Sequence, residues 1–118
     1  MEIKQESLVF NPLDEKDHAT IAAVRSGIWM AEIRDEVTVD ELLLKERLRS
    51  PDSAHSTFKM SVSDAEVAIA AIERRTDFET SIFAHKEVDP RLQMAMDALS
   101  EIRSFARQAD CLVEQRAA

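Results

Sequence analysis

The sequence predicts an all-α fold, a single bundle-like domain of about four main helices over residues 1–118, and three observations lead there. One Gly and three Pro leave few sites for turns that need positive φ, so a hairpin-rich β fold would lack its turn chemistry. Aromatic residues are 5% of the chain with no Tyr, so the core must come from Leu, Ile, Val, Met and Ala, which suits packed helices. Apolar residues also recur at helical spacing between capping signals. The length is enough for one real core and short for two.

Residues 1–10 carry no helical period and read as an extended arm. The "NP" at 11 and 12 offers an Asn cap with Pro at the first helical position, and Asp14, Glu15 and Asp17 follow in the first turn. A long first helix to about residue 35 is expected from there. Thr38 and Glu41 then have capping-box spacing, with Val37 and Leu42 placed as a hydrophobic staple, so a second helix covers 39–49.

The polar "SPDSAHST" is the main loop. Phe58, Met60 and Val62 alternate, which allows a short extended piece, although no partner strand is evident. Ser63 and Glu66, flanked by Val62 and Val67, form a second capping box and start a third helix near residue 64 that can reach residue 86. Within it "TDFE" at 76–79 repeats the capping pattern, so a break near Thr76 is an alternative. "VDP" closes this helix, and Pro90 opens a last one to about residue 115.

On the first helix, Leu13, Ile21, Val24, Ile28 and Ala31 share one face. Trp29 does not belong to it. With Ala22 and Ile33 it makes a second apolar stripe, separated from the first by His18, Arg25 and Glu32. The only Gly, Gly27, falls in a run of small residues, Ala23, Gly27 and Ala31, with Thr20 beside them. A Gly there costs roughly 1 kcal/mol against Ala, which suggests close helix packing.

The third helix carries Val67, Ala71, Phe78 and Ile82 on one side and Ala65, Ile69, Ile72 and Phe83 on the other. Arg75 falls between them and must either snorkel or find a carboxylate, for which Glu32 is the candidate. The last helix has a seam of Leu92, Ala95, Leu99, Ile102, Ala106, Ala109 and Val113. Met94, Ala98, Phe105 and Leu112 widen it, and Met94, Phe105 and Leu112 are the candidates for self-association as a homodimer.

A net charge of −8 and a pI near 4.8 would repel nucleic-acid phosphates and anionic lipid, so neither is an expected direct partner and a basic protein is. The single Cys111 precludes an intrachain disulfide, and the first ten residues lack a signal-peptide pattern. The longest apolar run, "VAIAAI", is too short to span a bilayer, so the expected location is cytoplasmic.

Signs of chemistry are few, and no catalytic, metal or nucleotide signature rises above chance. The cluster Glu32, Asp35, Glu36, Asp40 and Glu41 invites a magnesium-dependent all-α hydrolase as the alternative function, yet only Glu32 with Asp35 or Glu36 shares a face and no second acidic pair complements it. A solvated face plus helix capping explains the cluster. Glu15 and His18 supply only one of the two Glu-x-x-His elements of a di-iron bundle. Asp110 and Glu114 disfavour a Cys111 thiolate. Lys45, Arg47, Arg49, Arg74 and Arg75 do not fit a helix-turn-helix, because the connection between the second and third helices is too long.

The sequence therefore predicts a non-enzymatic protein-interaction module without a cofactor. The expected role is a negative regulator that sequesters a partner such as a basic, DNA-binding transcriptional regulator. Ala22, Trp29 and Ile33 would be the contact, with Glu32 and Glu36 in its acidic rim. A secretion chaperone or a structural subunit of a helical assembly is the other alternative.

Overall fold

The computed structural model describes residues 7–48, 57–82 and 89–117, with side chains over 7–48, 57–81 and 89–108. Four helices, α1 (Glu15–Ile33), α2 (Val39–Leu48), α3 (Val62–Ile82) and α4 (Pro90–Ala117), pack with a small sheet of β1 (Leu8–Phe10) and β2 (Phe58–Met60). The all-α, bundle-like architecture predicted from composition is what the chain adopts.

Within the extended arm expected over residues 1–10, Leu8–Phe10 is paired in a sheet. β1 and β2 are antiparallel, with Leu8 opposite Met60, Val9 opposite Lys59 and Phe10 opposite Phe58. Leu8, Phe10, Phe58 and Met60 all point into the core, so the alternation seen at 58–62 finds its partner in the N-terminal segment. What local sequence does not contain is the partner, since the pairing joins three residues to three others about fifty positions away.

Helix α1 begins later than "NP" suggests. The Asn11 side chain accepts from the Leu13 N–H at 3.0 Å, making a local turn, and the Asp14 carboxylate caps the helix by accepting from the Asp17 N–H at 3.0 Å. Leu13 therefore stands outside the helix and is 80% exposed rather than part of the core face. The α2 cap forms as expected: the Glu41 N–H donates to Thr38 Oγ1 and the Thr38 N–H to Glu41 Oε1, both at 3.1 Å.

The α3 cap sits two residues earlier than the Ser63–Glu66 pattern. The Asp64 N–H donates to Ser61 Oγ at 3.2 Å, and the Ser61 N–H to Asp64 Oδ2 at 3.0 Å. Asp64 is favoured because Arg47 of α2 binds it with Nη1 at 2.8 and 2.9 Å from its two oxygens, a tie that Glu66, exposed, does not receive. No break occurs at Thr76, whose hydroxyl donates back to the Ile72 carbonyl at 2.8 Å. The loop over residues 50–56 and the extension of α3 towards residue 86, with Phe83, lie outside the described residues.

One hydrophobic core draws on all six elements, with Val24, Ile28, Leu44, Met60, Ile72 and Ile102 at 2% exposure or less. Helix α1 lies at its centre, packed on α2, α3 and α4. The small-residue run has a defined use there. A Cβ added to Gly27 would fall on the Ala71 backbone of α3, 2.6 Å from its carbonyl carbon and 2.9 Å from its Cα. Ala23, Ala31 and Thr20 beside it are buried, as are Ala65 and Ala68 of α3. Gly27 thus serves an approach within the chain.

Gly27→Ala should lose roughly 2 kcal/mol of unfolding free energy in urea, because overpacking outweighs the roughly 1 kcal/mol gained in helix propensity. A variant more stable than wild type would show that the two helices do not meet at this point.

Candidate protein-interaction surface

Because α1 spends Val24, Gly27, Ile28 and Ala31 on the core, its other apolar stripe faces solvent. Trp29 is 57% exposed, Ile33 63%, and Ala22 is exposed too. These are the three apolar residues expected at a contact, and the structure leaves them together on one outer face.

Helix α2 extends that apolar surface in a way the sequence reading missed. Its inner side is Glu41, Leu44 and Leu48, so Val39 and Leu43 are left outward and Leu42 is only partly covered. The signal was present in "ELLLKERL", since three consecutive Leu cannot share one face of a helix. Leu42 was instead assigned to the staple with Val37, and of that pair only Val37 packs against the core. Between the helices runs an open groove of about 390 Å³ lined by Ala22, Arg25, Ser26, Trp29 and Lys45.

The acidic residues around this surface fall into two groups. Glu32 accepts from Lys45 Nζ at 2.6 Å and Glu41 from Arg74 Nη1 at 2.7 Å, so both are spent inside the chain. Asp35, Glu36, Asp40 and Glu46 are exposed and form no ion pair among the described residues. Asp35 holds φ 57°, ending α1 with its own N–H on the Glu32 carbonyl at 3.1 Å and the Glu36 N–H on Ala31 at 2.9 Å. Gly is the usual residue there; this chain has a carboxylate.

Glu41 is the buried member of the cluster. Burial alone would raise its pKa, but hydrogen bonds from Arg74 and Thr38, together with the Arg74 charge, outweigh that and hold it below the ordinary 4.5. Arg74 Nη1 also donates to the Gly27 carbonyl at 2.9 Å, so one guanidinium ties α3 to both α1 and α2. The pairing of Arg75 with Glu32 expected from the sequence does not form. Arg75 instead pairs with Glu79 at 2.9 Å and lies over the Phe78 ring, while Glu32 is taken by Lys45.

The other candidates resolve similarly. Lys45, Arg47, Arg74 and Arg75 are each bound to a carboxylate of this chain; Arg49 lies outside the described residues. Glu15 and His18 are exposed, and His18 Nδ1 meets Arg91 at 2.8 Å. Among the described residues no group of three His, Cys, Asp or Glu is arranged to hold a metal ion, and no helix is long and apolar enough to cross a membrane. Phe105 and Ala98 of α4 are buried in the chain's own core and Met94 is half-buried, so Phe105 offers no surface for self-association. The side chains of Cys111 and Leu112 lie outside those described.

Comparison with protein-family models, with curated proteins and with solved structures returns no match.

Glu41 sets a pH dependence. Because its folded pKa is depressed, its stabilisation is complete above the unfolded value near 4.5 and is lost as pH falls through the folded value. Glu41→Gln should cost about 2 kcal/mol at neutral pH, and the difference from wild type should shrink below about pH 4.5. A difference that stays constant on acidification would mean that the carboxylate charge contributes nothing there.

Proposed function

We propose that this protein is a non-enzymatic interaction module of the cytoplasm that acts by binding and sequestering another protein, with a DNA-binding transcriptional regulator as the partner class. The observation that carries this reading is Trp29: the only Trp of the chain is 57% exposed beside Ile33 at 63%, on a helix whose inner face is fully used. A large aromatic flanked by aliphatic side chains is the composition of a binding hot spot, and leaving such residues in water stabilises nothing in the free protein.

Charge supports the partner class. Between Trp29 and Leu48, Asp35, Glu36, Asp40 and Glu46 are exposed and without an ion pair among the described residues against one such base, Arg34, within an overall charge of −8. Such a rim accelerates encounter with a basic protein and disfavours phosphate, so the chain is suited to take a regulator from DNA rather than to touch DNA itself. The single Cys and the charged surface suit a reducing compartment.

The test is affinity capture from cytosol with wild type and a folded Trp29→Ala variant, followed by addition of the captured regulator to its DNA. Stoichiometric wild type should dissociate the regulator–DNA complex, and Trp29→Ala should weaken binding about thirtyfold, as expected for a hot-spot residue worth about 2 kcal/mol. A regulator–DNA complex left undisturbed by wild type would rule out sequestration.

A further inference from the structure

The exposed face on α1 and α2 has a shape and a charge distribution that narrow what can sit on it. Resting on the docking role proposed above, we infer that it receives an amphipathic α-helix with Lys or Arg flanking its apolar stripe, the apolar side chains seated on Trp29 and Ile33 and the cations lying against Asp35, Glu36 and Asp40.

A helix fits better than an extended segment for a reason of hydrogen bonding. The surface is made of side chains on two helices whose backbone groups bond internally, so it has no free sheet edge with which a strand could pair. A helix brings its own backbone bonds satisfied and need present only side chains. Ala22, Trp29 and Ile33 span twelve residues of α1, about 16 Å from first to last at 1.5 Å per residue, which is the length of three turns of a partner helix. The groove beside Trp29 has small residues, Ala22 and Ser26, along it, which leaves room for a bulky apolar side chain to enter.

Charge complementarity selects the flanks. Asp35, Glu36, Asp40 and Glu46 are exposed and free of ion pairs among the described residues, against two such cations, Arg25 in the groove and Arg34 beside Ile33, so acids are in excess, and the Lys45 cation is already satisfied by Glu32. Asp35 adds a second indication, since it occupies a left-handed position where Gly would cost less and yet presents a carboxylate to solvent. A second copy of the chain fits less well. It would bring the same acidic excess to the contact and add another charge of −8.

Trp29, as the only Trp, is a built-in reporter of the site. The full chain is titrated with two synthetic helical peptides sharing one Leu stripe at i, i+3, i+4 and i+7, one flanked by Lys and the other by Glu, while Trp29 emission is followed at low and high salt. The Lys peptide should shift the emission to the blue and bind at least about tenfold more tightly than the Glu peptide. The triple variant Asp35→Asn, Glu36→Gln, Asp40→Asn should weaken the Lys peptide about tenfold at low salt without loss of folded structure. Equal binding of both peptides would overturn the basic-helix inference while leaving the docking role intact. No response to either would overturn both. A concentration-dependent blue shift without peptide, matched by dimer in sedimentation, would make a second copy the occupant and contradict the inference.

Discussion

The structure depends on the crossing of α1 and α3 at Gly27 and Ala71. With no Cβ on Gly27 the backbones meet, and the approach brings the Arg74 guanidinium within 2.9 Å of the Gly27 carbonyl. The same guanidinium reaches Glu41 of α2 at 2.7 Å, and Glu41 in turn holds the Thr38 cap that starts α2. One missing methyl group thus sets the spacing of two helices and, through a part-buried ion pair, the position of a third. The pair is satisfied on both sides, which is the condition under which a buried charge stabilises rather than costs.

That constraint also decides what is left outside. α1 is turned so that its small residues and its Val24–Ile28 ridge face inward, and the rotation that achieves this carries Trp29 and Ile33 into solvent. α2 is held by Glu41, Leu44 and Leu48, which sends Val39 and Leu43 outward beside the acids of the α1–α2 turn. The proposed docking surface is therefore a by-product of how α1 is oriented for packing, and its residues lie outside the core. The acids nearest it divide accordingly: those needed for folding are buried or paired, and those at the turn remain exposed.

Much of this was legible where the signal is local. The four helices followed from periodicity and capping, the Thr38–Glu41 box formed as spaced, and the separation of Trp29 from the Val24–Ile28 face is a matter of 100° per residue. Readings failed where a distant residue decides. In "SVSDAE" two capping patterns overlap, and the choice of Ser61 with Asp64 is made by Arg47 from another helix. The alternation at 58–62 marks an extended piece, but its pairing with Leu8–Phe10 joins segments some fifty residues apart, and nothing local names the partner. Which of Arg74 and Arg75 turns inward depends on the rotation of α3 against Gly27, and local spacing does not contain it.

The central claim is that adjacent residues on α1 serve separate purposes, Ile28 the fold and Trp29 the outside. Unfolding free energies of Ile28→Ala and Trp29→Ala in urea test it most directly. Ile28, fully buried, should cost about 3 kcal/mol or more when truncated, and Trp29, 57% exposed, less than about 1 kcal/mol despite its size. Comparable losses for the two variants would mean that Trp29 is part of what holds the chain together, and the account of a free outer face would be contradicted.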